Sequence, residues 1–114
     1  MSGIARFIDG LGVLGLAAEE RGGLVVVTID VAPEGAPGPH QVGTDPPSDF
    51  PRVPPHWLHL RRGLVLPDDP GGASELGEGW WKWSRPHPKW RGDDDPVRRW
   101  VAHARSLVVT AKAA

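Results

Sequence analysis

The chain has 114 residues, with 15 glycines, 13 prolines, no cysteine and a formal net charge of −1, a length suited to one domain with a modest core. The missing cysteine excludes a disulfide framework, a thiolate nucleophile and a cysteine-ligated zinc, and is compatible with a cytoplasmic setting. The near-neutral balance supplies no global field for nucleic acid or an acidic membrane, while glycine and proline together predict long irregular connections between a few regular elements.

The first predicted element is a helix over residues 4–11, where Ile4, Phe7, Ile8, Leu11 and then Leu14 recur at helical spacing. Gly10, Gly12 and Gly15 each weaken it by roughly 1 kcal/mol relative to Ala, so 12–18 is left unassigned. The apolar stretch Ile4–Ala18 is too short to span a bilayer and has no cleavage-site pattern, so it reads as neither membrane helix nor signal peptide. After the turn Arg21-Gly22-Gly23, the β-branched run from Leu24 to Val31 predicts a strand buried on both faces. Pro33 to Pro39 is a turn-rich connection, and residues 40–45 form a second strand antiparallel to the first. Residues 46–55 contain five prolines around Phe50 and must be extended. His56 to Leu60 alternates as a short third strand, and residues 66–78 lack any apolar period, which predicts an irregular loop.

Four of the six tryptophans, Trp80, Trp81, Trp83 and Trp90, lie within eleven positions, interleaved with Lys82, Arg85, His87 and Lys89. So much ring surface either roofs a core or lines a binding surface. In an extended segment adjacent side chains point to opposite sides, so with Trp80 inward Trp81 points outward, beside Arg85, His87 and Lys89, and Trp83 is counted with them. Phe50, Trp57, Trp80 or Trp83, and Trp100 are expected to share one buried cluster, with Trp90 stapling its segment to the last helix near Trp100. That helix begins with Asp95 as cap and Pro96 at its first position, and Val97, Trp100, Val101, Ala104, Leu107, Val108 and Ala111 form its apolar stripe.

Candidate chemistry is sparse. Ser84 and His87, followed by Asp93 to Asp95, are the only set resembling a nucleophile with its base, and they lack a strand-to-helix elbow and an oxyanion hole. They define a transferase or hydrolase alternative. His56 and His59 fall on opposite faces of an extended segment, poor geometry for one metal, so neither metal nor cofactor is expected. Aromatic rings among Lys82, Arg85, Lys89 and Arg91 define a second alternative, a single-stranded nucleic-acid-binding module, disfavoured by Asp93, Asp94 and Asp95 and by the overall charge.

The order of elements, the motif Phe50-Pro51-Arg52-Val53-Pro54-Pro55 before the third strand, the run Gly79-Trp80-Trp81-Lys82-Trp83-Ser84-Arg85-Pro86 continuing to Trp90, and Trp100-Val101-Ala102-His103-Ala104-Arg105-Ser106-Leu107 resemble the divergent bacterial branch of the ubiquitin-conjugating-enzyme (UBC) fold. The resemblance covers about residues 20–112. It implies an α+β fold in a single UBC-like domain over residues 1–114. This would have an antiparallel meander of about three strands, an N-terminal helix, a C-terminal helix and a Trp-rich irregular cap, with Phe50, Pro51, Pro54, Pro55, Trp90 and Trp100 as the structural motif. Working members of the family carry the modifier as a thioester on a cysteine. Here the corresponding stretch, about Leu66 to Trp81, has none, and Leu66-Pro67-Asp68-Asp69 replaces the His-Pro-Asn element that usually precedes it. An oxyester on Ser74 or Ser84 is the remaining covalent option and requires a base beside the hydroxyl. The resemblance therefore implies a cytoplasmic pseudoenzyme that binds a protein partner, a ubiquitin-like modifier or an activating-enzyme-like protein, through Trp81, Trp83, Arg85, His87 and Lys89.

Overall fold

A computed structural model describes residues 2–31 and 38–113; most of the connection expected between Pro33 and Pro39 lies outside them. The fold is α+β, with elements in the order α1 (Gly3–Val13), β1 (Ala18–Arg21), β2 (Leu24–Ile29), β3 (His40–Thr44), β4 (Trp57–Arg61), β5 (Leu64–Val65), β6 (Gly72–Ala73), β7 (Trp80–Ser84), α2 (Pro96–Val108) and β8 (Lys112–Ala113). Six strands form one antiparallel sheet in the order β1-β2-β3-β4-β7-β6, and β5 pairs separately with β8. No helix among the described residues is long and apolar enough to cross a membrane.

The sheet is larger than the three-strand meander read from the sequence, and the supposed irregular tryptophan cap is its strand β7. Residues 66–78 are turns and irregular backbone, interrupted by β6. The extra strands are short or charged: β1 is Ala-Glu-Glu-Arg, an edge strand that is mostly exposed.

Each helix is ended by local chemistry. Ser2 caps α1, its hydroxyl accepting the Ala5 N–H at 3.1 Å. Gly15, at φ +78°, closes the helix: its N–H reaches the Gly12 carbonyl at 2.9 Å and the Leu16 N–H reaches that of Leu11 at 3.0 Å. That pair of bonds is a Schellman ending, which needs the left-handed residue that glycine supplies. At α2 the expected cap is absent. Asp95 is left-handed, at φ 46°, and its carboxylate accepts from Arg98 Nε at 3.0 Å instead of from the helix backbone. Pro96 alone begins the helix as foreseen.

The register produces two stripes across the sheet. Ala18, Val27, Val42, Leu60 and Trp81 are successive partners on one face, and Glu19, Val26, Gly43, His59 and Lys82 on the other. The first face meets both helices. Phe7 and Leu11 of α1 and Val97, Trp100, Val101, Ala104 and Val108 of α2 join Val25, Val27, Ile29, Leu58, Leu60 and Trp83 in one core. Phe7 sits at its centre, edge-on to Trp100 at 5.0 Å and to Phe50 at 5.2 Å. Phe50, Trp83 and Trp100 are therefore clustered as expected. Trp57 is not: the strand alternation turns it, with Trp80, to the opposite face, where it is half-buried. Trp90 staples its segment to Phe50 and Pro51 rather than directly to Trp100, donating its Nε1–H to the Pro51 carbonyl at 2.9 Å.

Because Trp100 is 2% exposed at the contact between α2 and Phe7, Trp100→Ala is expected to destabilise the fold by about 3–5 kcal/mol. Chemical denaturation followed by circular dichroism measures this, and an unchanged midpoint would contradict the packing.

Candidate functional site

Three groups of polar or aromatic side chains stand out. The first lies on the sheet face away from the helices. Asp45 accepts the backbone N–H groups of His56 and Trp57 on one oxygen, at 3.2 and 2.9 Å, and so fixes the entry into β4. The β4–β7 register sets Ser84 opposite Trp57, and His56 Nε2 lies 2.6 Å from Ser84 Oγ. Lys82 places its ammonium 4.5 Å from the Trp57 ring centre and pairs with Glu75, whose carboxyl its hydrogen bond holds below the usual range.

His59 lies in the same group and is completely buried. Its cover is the turn at residues 74–79, where Leu76 fills the space that a side chain at Gly43 would need: a Cβ there would stand 2.6 Å from Leu76 Cδ1. Ser74 Oγ accepts the Leu76 N–H at 3.0 Å and shares a hydrogen bond with His59 Nδ1, 2.7 Å away. The other ring nitrogen, Nε2, is buried without a hydrogen-bond partner among the described residues. Burial pushes the His59 pKa below the ordinary 6.5, against the opposing pull of Glu75 and Asp45.

The second group surrounds a cavity of about 640 Å³ beside the first turns of α2, lined by His87, Pro88, Asp94, Asp95, Arg98, Arg99, Ala102, His103 and Ser106. The His87 and His103 rings are 5.0 Å apart. His103 Nε2 donates to the Arg85 carbonyl at 2.8 Å, and His87 Nδ1 accepts the Lys89 N–H at 3.1 Å. The free nitrogens are thus His103 Nδ1 and His87 Nε2. Burial, then the charges of His103 and Arg99, lower the His87 pKa. Arg98 and Arg99 are paired with Asp95 and Asp94.

The third group is at the other end of the sheet. Trp81 and Trp83 share the core side of β7, but Trp83 is 1% exposed while Trp81 is half-buried at the margin. Their indole N–H groups donate to the Pro70 and Asp69 carbonyls at 2.8 and 3.0 Å, and Arg85 donates to the Pro67 carbonyl at 2.9 Å. Together they lash residues 67–70 to β7. Arg62 lies over the Trp81 ring at 4.6 Å, and Arg61 over Trp80 at 4.7 Å.

The surface expected from Trp81, Trp83, Arg85, His87 and Lys89 is therefore divided. Trp83 is core, Arg85 is committed to the loop, His87 lines the α2 cavity, Lys89 is exposed, and Trp81 alone meets a groove beside Arg62. Ser84 and His87 do not pair; the partner of Ser84 is His56, 28 positions earlier. His56 precedes β4, so strand parity does not separate it from His59, and both rings bond serines of this group. Neither Ser84 nor Ser74 lines any of the larger cavities, and no carboxylate among the described residues orients the second nitrogen of His56. Asp45, through the His56 and Trp57 N–H groups, holds backbone in place at the entry to β4. Among the described residues no cluster of three or more metal-ligating side chains occurs. Compared with known proteins, the chain matches no family model, no curated protein and no solved structure.

The buried imidazole has a measurable consequence. His59 is neutral in the fold and titrates at 6.5 when unfolded, so its contribution is complete above that value. It is lost as pH falls from 6.5 towards the lower folded value, because the unfolded chain takes up the proton first. Denaturation midpoints of the parent and His59→Gln, measured between about pH 7 and pH 5, should show a shallower fall for the variant. Parallel slopes would remove His59 as the source.

Proposed function

We propose that the chain is a thiol-free UBC-like protein that acts by binding rather than by catalysis. Its partner is a ubiquitin-like modifier or an activating-enzyme-like protein of a bacterial conjugation or defence system. One observation carries the reading: Phe50-Pro51-Arg52-Val53-Pro54-Pro55 joins β3 to β4 within a meander, β1 to β4, that pairs in chain order after a single N-terminal helix. In the resemblance the motif leads into the third strand; here it leads into the fourth, because β1 adds an edge strand ahead of the others. Phe50 is anchored in the core by Phe7 and Trp90, and Pro55 is buried, so the segment acts as a stiff strut between strands. The stretch Leu66–Trp81, where a working member would carry its cysteine, offers only Ser74 as a hydroxyl nucleophile, and that hydroxyl is held by His59 and Leu76.

The 2.6 Å contact between His56 and Ser84 favours a second reading, covalent transfer through Ser84. It requires a substrate site, and Ser84 lines none of the larger cavities, so binding is the stronger reading. Incubation with a ubiquitin-like protein, its activating enzyme and ATP should give a non-covalent complex and no hydroxylamine-sensitive adduct. An adduct that disappears in Ser84→Ala would replace the binding reading with the transfer one. If the interface includes the exposed side of Trp81, Trp81→Ala should weaken the complex by about 2 kcal/mol, roughly thirtyfold in Kd, in a variant shown to be folded. Unchanged affinity would move the interface elsewhere.

A further inference from the structure

The small β5–β8 ribbon sets Lys112 opposite Val65, three residues beyond Arg62 in the chain. Gly63, at φ +104°, turns the chain out of β4 so that Val65 becomes the strand partner of Lys112. Directly paired residues of an antiparallel ribbon project on the same side, so the Lys112 side chain stands beside that of Val65. Val65 is 40% exposed and, with Leu64 and Trp81, forms the apolar floor of a groove of about 220 Å³ whose wall is Arg62. The Arg62 guanidinium carbon stands over the Trp81 ring, 4.6 Å from its centre, a cation–π contact that leaves its charge unneutralised.

Neither Arg62 nor Lys112 has an ion-pair partner among the described residues, whereas Arg21, Arg52, Lys82, Arg85, Arg98 and Arg99 do. No carboxylate lines the groove. In a chain with a formal net charge of −1, this is a local cationic site with an apolar floor and an arginine on an aromatic ring.

We propose that this groove docks an extended, acidic segment of a partner protein, with an apolar side chain over Val65 and Trp81 and carboxylates on Arg62 and Lys112. Carboxylates match the groove because a guanidinium offers paired donors to their two oxygens, and the apolar floor gains nothing from a purely ionic ligand. The proposal deepens the protein-binding reading by naming the partner's chemistry, and it does not depend on the UBC likeness.

The test uses the full chain and a fluorescein-labelled peptide, Glu-Asp-Glu-Leu-Leu-Asp-Glu-Asp, followed by fluorescence anisotropy. Its charge-reversed counterpart, with Lys in place of each acidic residue, is the control. The acidic peptide should bind, lose affinity as salt is raised, and bind about tenfold more weakly to Arg62→Ala and to Lys112→Ala. Arg21→Ala, on the edge strand β1 and outside the groove, should change nothing. Both key positions are exposed, so the variants are expected to fold, and the unchanged denaturation midpoint of each confirms it. Equal binding of the basic peptide, or full affinity in both variants, overturns the groove. Tighter binding of a single-stranded oligothymidylate that is lost in Arg62→Ala also overturns it, in favour of nucleic acid. If a ubiquitin-like protein still binds Arg62→Ala and Lys112→Ala normally, the groove fails and the binding module stands. If the acidic peptide binds as described and no ubiquitin-like protein does, the groove stands and the family reading fails.

Discussion

The pairing of Trp80–Ser84 with Trp57–Arg61 is the contact on which the rest of the molecule depends. It joins two strands rich in large rings, and strand alternation sends those rings to both faces: Trp81 and Trp83 towards the helices, Trp57 and Trp80 away from them. One face is sealed by α1 and α2. The other must be sealed by something else, and it is covered by the turn at 74–79, whose Leu76 drops onto Gly43. Gly43 is there because a side chain would collide. The same covering buries His59 and forces it to remain neutral, with Ser74 supplying the hydrogen bond that water would otherwise give.

A second chain of contacts ties this sheet to the proline-rich strut and to α2. Trp100, Phe7, Phe50, Trp90, His87 and His103 follow one another ring to ring, at 5.0, 5.2, 6.1, 5.7 and 5.0 Å, and the series returns to α2 one turn beyond its start. The stiff Phe50–Pro55 segment is thereby clamped on both sides. At its far end the series shapes the cavity beside α2. The geometry around His87 is thus largely a consequence of packing, and its Nδ1 is spent on the Lys89 N–H.

The parts of this design that local chemistry dictates were readable in the chain itself. The β-branched run gave β2, the three- and four-residue apolar spacing gave α2, and the alternation at 56–60 gave β4 within a residue. Strand β7 was missed because tryptophans on both faces hide the two-residue period that a half-exposed strand displays. Its partner β4 also lies across a long connection that holds only the short strands β5 and β6. Strand β1 was missed because Glu19, Glu20 and Arg21 look like solvent loop, the composition an edge strand uses. Asp95 failed as a cap because Arg98, three residues on, competes for its carboxylate. The candidate site suffered more. Ser84 looked towards the near neighbour His87, whereas sheet register delivers His56, and no local pattern could have exposed that choice. Lys112 was likewise set beside Val65 only by the β5–β8 pairing.

The six indole N–H groups offer a direct test of the central claim, that the chain binds a partner without covalent chemistry at the Trp81 end of the sheet. In a titration of nitrogen-15-labelled protein with the acidic peptide, and separately with a ubiquitin-like protein, the Trp81 indole resonance should shift with Arg62 and Val65. The indoles of Trp83 and Trp100, which are buried in the core, should stay in place. Perturbations confined to His56, Trp57 and Ser84, with Trp81 unmoved, would contradict the account and place the functional surface on the opposite face.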